Sequence, residues 1–96
     1  MEIKHIPKDN GGEFVIEQKE EKAGYMQYIL FGSGRMVIQH TEVNHHLQGT
    51  GASRKLVNAA VQHARNNDLK ILPICPFAKA VMTKNRDQYS DVLVGA

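Results

Sequence analysis

The sequence has few of the devices that staple small proteins. Its single cysteine, Cys75, excludes a disulfide within the chain and fits a reducing compartment. Without a second cysteine, a structural zinc site is short of soft ligands. His45 and His46 look like a metal pair, but they are adjacent and no third ligand stands near them. Both are read as loop residues, and no metal is expected. No run approaches the roughly 20 apolar residues that cross a membrane. No apolar stretch of signal-peptide length follows Met1–His5. The expectation is a cytoplasmic protein with no membrane contact. A charge excess is also missing: 12 Lys+Arg against 10 Asp+Glu leave +2. That argues against a dedicated nucleic-acid binder, because a phosphate backbone selects a strong basic bias. Repeats, low-complexity tracts and linkers are absent. Residues 1–96 are therefore read as one domain with one core.

What is present is a change of hydrophobic period midway along the chain. Met1–Lys8 reads as a first strand or a loose arm, and Asn10-Gly11-Gly12 as a turn. Glu13–Gln18 is strand-like, Glu20–Gly24 reads as a hairpin turn, and Tyr25–Phe31 as the next strand. Gly32-Ser33-Gly34 turns again, and Arg35–Val43 completes an antiparallel meander. From Gly51 to Asn66 the period becomes helical. Ala52, Leu56, Ala60 and Ala64 recur on one side with Val57 and Val61, while Arg54, Lys55, Asn58, Gln62 and Arg65 take the other. Leu69–Cys75 is a short strand whose Ile71, Leu72 and Ile74 suggest burial on both faces. Pro76 stops it, Ala78–Asn85 reads as a shorter helix, and Asp91–Val94 as a final edge strand. The fold class is α+β: a mixed, mostly antiparallel sheet, a long helix after the third or fourth strand, and a shorter C-terminal helix. His5 and His63 are read as surface positions.

The chemistry concentrates where the meander meets the long helix. Gln48-Gly49-Thr50-Gly51-Ala52 puts two glycines at the helix start. Amides there have no intrahelical partner and sit at the positive end of the macrodipole. Glycine lets an anion approach them closely. Taken alone, a Gly-x-Gly is weak evidence, because glycines at a helix start more often only relieve crowding against a sheet. No Gly-Lys-Ser/Thr follows, so this is not a Walker loop, and the three-glycine dinucleotide fingerprint is absent too.

His46-Leu47-Gln48-Gly49-Thr50-Gly51 resembles the pyrophosphate loop of the GCN5-related N-acetyltransferases, Gln/Arg-x-x-Gly-x-Gly/Ala, with His46 in the Gln/Arg position. His40-Thr41-Glu42-Val43, that loop, Pro73-Ile74-Cys75-Pro76-Phe77 and Tyr89-Ser90-Asp91-Val92-Leu93 together resemble a minimal subfamily of very short chains. The resemblance runs from about Phe14 to Leu93 and covers most of the sequence. It implies an N-acetyltransferase that binds acetyl-CoA and carries the acetyl group to an amine, on a small molecule or a protein. Two strands then diverge, and the pantetheine arm lies between them on backbone groups of Thr41 and Val43. The diphosphate rests on the amides of Gln48, Gly49, Thr50, Gly51 and Ala52, with Arg54 or Lys55 meeting the outer phosphates. The competing reading for Arg54 and Lys55 is a solvated helix face.

The resemblance also implies that the thioester falls near His40 and Cys75. Strand alternation puts Ile38, His40 and Glu42 on one face. A histidine beside a cysteine can draw off the thiol proton. Two routes stay open. Either Cys75 takes the acetyl group and passes it on, or an amine attacks directly while His40 or Glu42 removes its proton. In either route a backbone N–H near Val43 polarises the carbonyl. Many larger relatives place a tyrosine on the last helix to protonate the leaving thiolate, but Ala80-Val81-Met82-Thr83 has none. Tyr89 lies further along and reads as a packing or capping residue. The alternatives to an enzyme of this kind are a non-catalytic acyl-CoA-binding module, which needs the loop only, and a small Cys/His hydrolase, which needs the pair only. The acceptor and the oligomeric state are not legible.

Overall fold

A computed structural model describes residues 2–94. Four antiparallel strands come first: β1 (Glu2–Lys8), β2 (Gly11–Gln18), β3 (Glu21–Phe31) and β4 (Arg35–Val43). Then follow α1 (Ala52–Asn66), β5 (Lys70–Pro73), α2 (Pro76–Lys84) and the short α3 (Arg86–Tyr89). The sheet order is β1-β2-β3-β4-β5, with β5 parallel to β4. This is the α+β arrangement expected, with the long helix after the fourth strand. From Glu2 to Lys8 the leading segment is a strand, paired with β2 along that length, and Met1 lies outside the described residues.

The hairpins are tighter than the glycines suggest. Gln18 pairs with Glu21, so the turn is Lys19-Glu20, at φ 53° and 66°. Two consecutive left-handed residues match the right-handed twist of the flanking strands. The expected Glu20–Gly24 turn is thus corrected, and Gly24 lies inside β3. A Cβ there would stand 2.9 Å from the Glu42 carbonyl oxygen, so glycine allows the two strands to approach. Similarly, Asn10 turns at φ 60° while Gly11 and Gly12 already belong to β2.

One face of the sheet makes the core. Phe14, Ile16, Met26, Met36, Ile38 and Ile71 pack with Leu56, Val57, Ala60, Val61 and Ala64 of α1. The expected double burial of β5 is corrected as well. Ile71 is fully buried, but Leu72 is 39% and Ile74 54% exposed. The strand sits at the sheet's edge, and no layer covers its second face. Asp91–Val94 forms no strand; it contributes one bridge, Leu93 to Ile71. Arg65 holds this tail to α1, with Nε donating to Asp91 Oδ2 at 2.8 Å and Nη2 to the Gln88 carbonyl at 3.0 Å. Tyr89 is buried and donates to Asn58 Oδ1 at 3.0 Å. No helix among the described residues is long and apolar enough to cross a membrane.

His5 is exposed, as expected, and His63 is half-buried, but the two rings meet in an aromatic cluster. The His5 ring stacks on Phe14 at 4.5 Å and meets His63 of α1 edge-on at 4.5 Å. Its Nε2 lies 2.6 Å from Tyr28 Oη. Burial first, then the charge of His63, pulls the His5 pKa below its ordinary value. The unfolded chain therefore binds the proton more readily. The stabilising contribution is complete above the ordinary histidine range and is lost as pH falls through that range toward the lower folded value. His5 keeps much of its surface in water, so the effect is modest. His5→Phe should show a smaller drop in Tm between about pH 7 and pH 5 than the parent. Equal drops would show that His5 does not carry this dependence.

Candidate active site

The geometry of the site starts from an irregularity in β4. Gln27 pairs with His40 but Tyr28 pairs with Ile38, leaving Gln39 as an extra residue. Such a bulge inverts the in-out alternation beyond it. Ile38 is fully buried on the core face, whereas His40 and Glu42 are exposed on the opposite, open face. Thr41 and Val43, paired with Met26 and Gly24, face the helices. The expectation that Ile38, His40 and Glu42 share a face is therefore corrected. On the open face Tyr25 Oη donates to Glu42 Oε2 at 3.1 Å, and this bond is the first cause of a raised Tyr25 pKa.

At the same level the sheet splits. Pairing of β4 with β5 ends at Ile38 and Pro73. The Ile38 carbonyl accepts the amides of Ile74 and Cys75, each at 3.1 Å, and Pro76 then starts α2. Proline fits there because the first helical position has no use for an N–H. The chain turns away, so the edge of β4 from Gln39 to Val43 has no strand beside it. A cleft of about 550 Å³ opens in this gap. Thr41, Glu42 and Val43 line one wall, Leu47, Gln48, Gly49 and Ser53 one end, and Phe77 the far side.

The glycine turn closes the end of the cleft. Gly49 and Gly51 have φ of 83° and 84°, and nothing lies within 4 Å of where their Cβ atoms would be. Gly51 is the N-cap of α1 and offers no capping side chain, and the first turn holds no acidic residue. The amides at the helix start therefore have neither a side-chain acceptor nor a neighbouring carboxylate to neutralise them. Buried Leu47 pins the turn from below, and its carbonyl accepts both the amide and the hydroxyl of Thr50. Ala52 turns its methyl into the core, which leaves its backbone as the part available to a ligand. Arg54 Nη2 donates at 3.3 Å to Oδ1 of Asn85, between α2 and α3, and Lys55 is exposed. His46 Nε2 is 3.3 Å from Gln18 Oε1, consistent with a loop role.

Cys75, 4% exposed, is the N-cap of α2. The expected His40–Cys75 pair does not form, because the bulge turns His40 to the open face. Burial acts most strongly on the thiol and raises its pKa. The Thr41 side chain and the amides of Ala78, Phe77 and Thr41 together outweigh it, so the thiol lies below its ordinary value. No three His, Cys, Asp or Glu among the described residues are grouped to hold a metal ion. The sequence pointed to the glycines and to Thr41 and Val43, but not to Leu47, Ser53 or Phe77. Phe77 stood inside the Pro73–Phe77 motif. Leu47 stood inside the loop motif, and Ser53 follows that motif in the first turn of α1.

A family model described as GCN5-related N-acetyl-transferase matches residues 13–92. Comparison with curated proteins finds no match. Among solved structures, a GCN5-like protein from Staphylococcus aureus, determined by NMR, is 36% identical. The match covers 99% of this chain and 89% of that one, with a TM-score of 0.74. An IAA acetyltransferase from Bacillus cereus is 21% identical over 81% of this chain and 55% of its own, with a TM-score of 0.65. AAC(6')-Iy, in complex with the bisubstrate analog CoA-S-monomethyl-acetylneamine, is 10% identical over 90% of this chain and 63% of its own, at a TM-score of 0.58. The last two are alike in fold alone.

Proposed function

We propose that this chain, which belongs to the GCN5-related N-acetyltransferase family, binds acetyl-CoA in the split of its sheet and transfers the acetyl group directly to an amine. Residues 1–96 act as a single minimal transferase domain. One observation carries the reading: the free edge of β4 runs from the uncapped start of α1 to the level of His40. The pantetheine amides would add to that edge as a strand would, on backbone groups of Thr41 and Val43. The diphosphate would take the amides of Gln48 to Ala52. Arg54 and Lys55, one turn on, would meet the outer phosphates, with Arg54 leaving Asn85 to do so.

The acetyl carbon then lies near the split. The acceptor approaches from the open face, where no helix stands and where His40 and Glu42 are exposed. The amine nitrogen attacks the thioester carbon, the carbon–sulfur bond breaks, and CoA leaves as its thiolate. His40 takes the proton from nitrogen, and Glu42, oriented by Tyr25, favours the positive charge that forms. A backbone N–H near Val43 polarises the carbonyl. A free thiol and a need for acetyl-CoA support a cytoplasmic setting.

A covalent route through Cys75 is the second reading, favoured by its place at the split, where its amide donates to the Ile38 carbonyl at 3.1 Å; a thiol held below its ordinary pKa suits that route. There the Cys75 sulfur attacks the thioester, CoA leaves, and the amine then attacks the acyl-cysteine. The test is CoA release from acetyl-CoA across a panel of amines, with intact mass recorded without any acceptor. Direct transfer predicts amine-dependent release and an unchanged protein mass. A gain of one acetyl group on Cys75 would favour the covalent route. Saturable binding with no release for any amine would reduce the chain to an acyl-CoA-binding module.

A further inference from the structure

We infer that a hollow beside His40 on the open face is the acceptor subsite, and that it takes a neutral carboxamide or peptide group carried close to the reacting amine. The hollow measures about 180 Å³, and its lining includes Lys8, Asp9, Gly11, Gln27, Ile29 and Gln39. Its place follows from the bulge in β4. Met26 and Tyr28 are buried in the core, so alternation along β3 sends Gln27 and Ile29 to the open face. Gln27 pairs with His40 and Ile29 with Val37, while Gln39 stands unpaired next to His40. Residues directly opposed across a strand pair hold their Cβ atoms about 5 Å apart, so the hollow begins one strand away from His40. It opens on the β3 side of β4, and the split opens on the β5 side. His40 therefore stands between the hollow and the place assigned to the thioester.

The lining selects the chemistry of the ligand. Gln27 and Gln39 are half-buried. Neither side-chain amide bonds another protein group among the described residues. Each offers N–H donors and a carbonyl acceptor, the two complements that an amide group needs. A ligand that bonds them is favoured over one that covers them and leaves them unpaired. Simple alkylamines and polyamines carry no such group. Lys8 and Asp9 are adjacent and of opposite charge, so they give the hollow no net field that would favour a free carboxylate. Ile29, 38% exposed, adds an apolar wall. Gly11 keeps the place open, because a Cβ there would stand 2.4 Å from the Tyr28 carbonyl oxygen. The acceptor role rests on the proposed function; the binding chemistry of the hollow does not.

The test follows the side-chain amide signals of Gln27 and Gln39 by NMR in ¹⁵N-labelled protein saturated with CoA, which has no acetyl group to transfer. Gln27→Leu and Gln39→Leu identify the two signals by their loss. Alaninamide is compared with 3-methylbutan-2-amine, the same amine with an isopropyl group in place of the carboxamide. Both signals should move saturably with alaninamide, and the isopropyl compound should bind at least about fivefold more weakly. That comparison uses the parent protein and needs no variant to fold. Gln39→Leu should weaken alaninamide about two- to tenfold and leave the isopropyl compound unchanged. Glutamine signals that stay still at the highest soluble alaninamide, or equal affinities for the two amines, would overturn the inference. The amides of Gln48–Ser53, read in the CoA titration of the same sample, report on the cofactor site alone. If they ignore CoA while both glutamines respond to alaninamide, the proposed function fails and takes the acceptor role with it. If they respond to CoA while the glutamines do not, only the hollow is lost.

Discussion

Replacing His40 with alanine lowers kcat for acetyl transfer by about 10²–10⁴-fold, the range for loss of a general base, while KM for acetyl-CoA stays near the parental value. The split follows from position. His40 lies on the open face, away from the turn that would hold the diphosphate, and its side chain is not among those lining the cleft. The cofactor would use the backbone of this part of β4, which alanine leaves unchanged. The amine must lose a proton as it becomes an amide, and His40 stands on β4 two residues beyond Ile38, where β4 and β5 part. Glu42→Gln should have a smaller effect, because Tyr25 can still donate to the amide oxygen. Steady-state kinetics with a saturating amine separates the two. A His40→Ala enzyme with parental kcat would remove histidine from the chemistry and move attention to Glu42 or to solvent.

Gly51→Val should reduce acetyl-CoA affinity at least tenfold, by two additive causes. At φ 84° a β-branched residue is strained by about 1–2 kcal/mol, and the turn relieves that strain only by leaving its conformation. A side chain at that point would also stand where nothing now lies within 4 Å, in the space assigned to the diphosphate. Affinity changes by a factor of ten for about 1.4 kcal/mol, so either cause is close to sufficient. Gly49→Val should behave alike, since its φ and its open surroundings are the same. Calorimetry on the folded variants measures the loss, and a thermal melt keeps it apart from destabilisation. Parental affinity in a folded Gly51→Val protein would place the diphosphate elsewhere.

The parts of this molecule that were legible in the sequence are those with a period. The Gly51–Asn66 helix stands out because apolar residues recur every third and fourth position, and Arg35–Val43 because Met36-Val37-Ile38 stands between two turn signals, and both are found essentially where the pattern puts them. Single-residue irregularities have no such signature. Gln39 has nothing to mark it as a bulge, yet it inverts His40, Thr41 and Glu42 and so sends His40 to the open face, away from the side of the sheet where Cys75 is buried. The run Ile71, Leu72, Ile74 looks like a central strand because composition does not report whether a second layer exists, and here none covers that face. Lys19-Glu20 turns without glycine while Gly24 sits in a strand for close approach, which reverses the usual cue. His5 and His63 lie far apart in sequence, and their contact depends on how α1 crosses β1.

The most direct test of the account is an amide-by-amide titration of ¹⁵N-labelled protein with acetyl-CoA, followed by NMR. Binding in the split predicts saturable shifts along three segments: Thr41 to Val43, Gln48 to Ser53, and Cys75 to Phe77. The amides around His5 and His63 should stay still. Saturable shifts that leave Gln48–Ser53 unmoved, or no saturable shift at millimolar acetyl-CoA, would contradict the account.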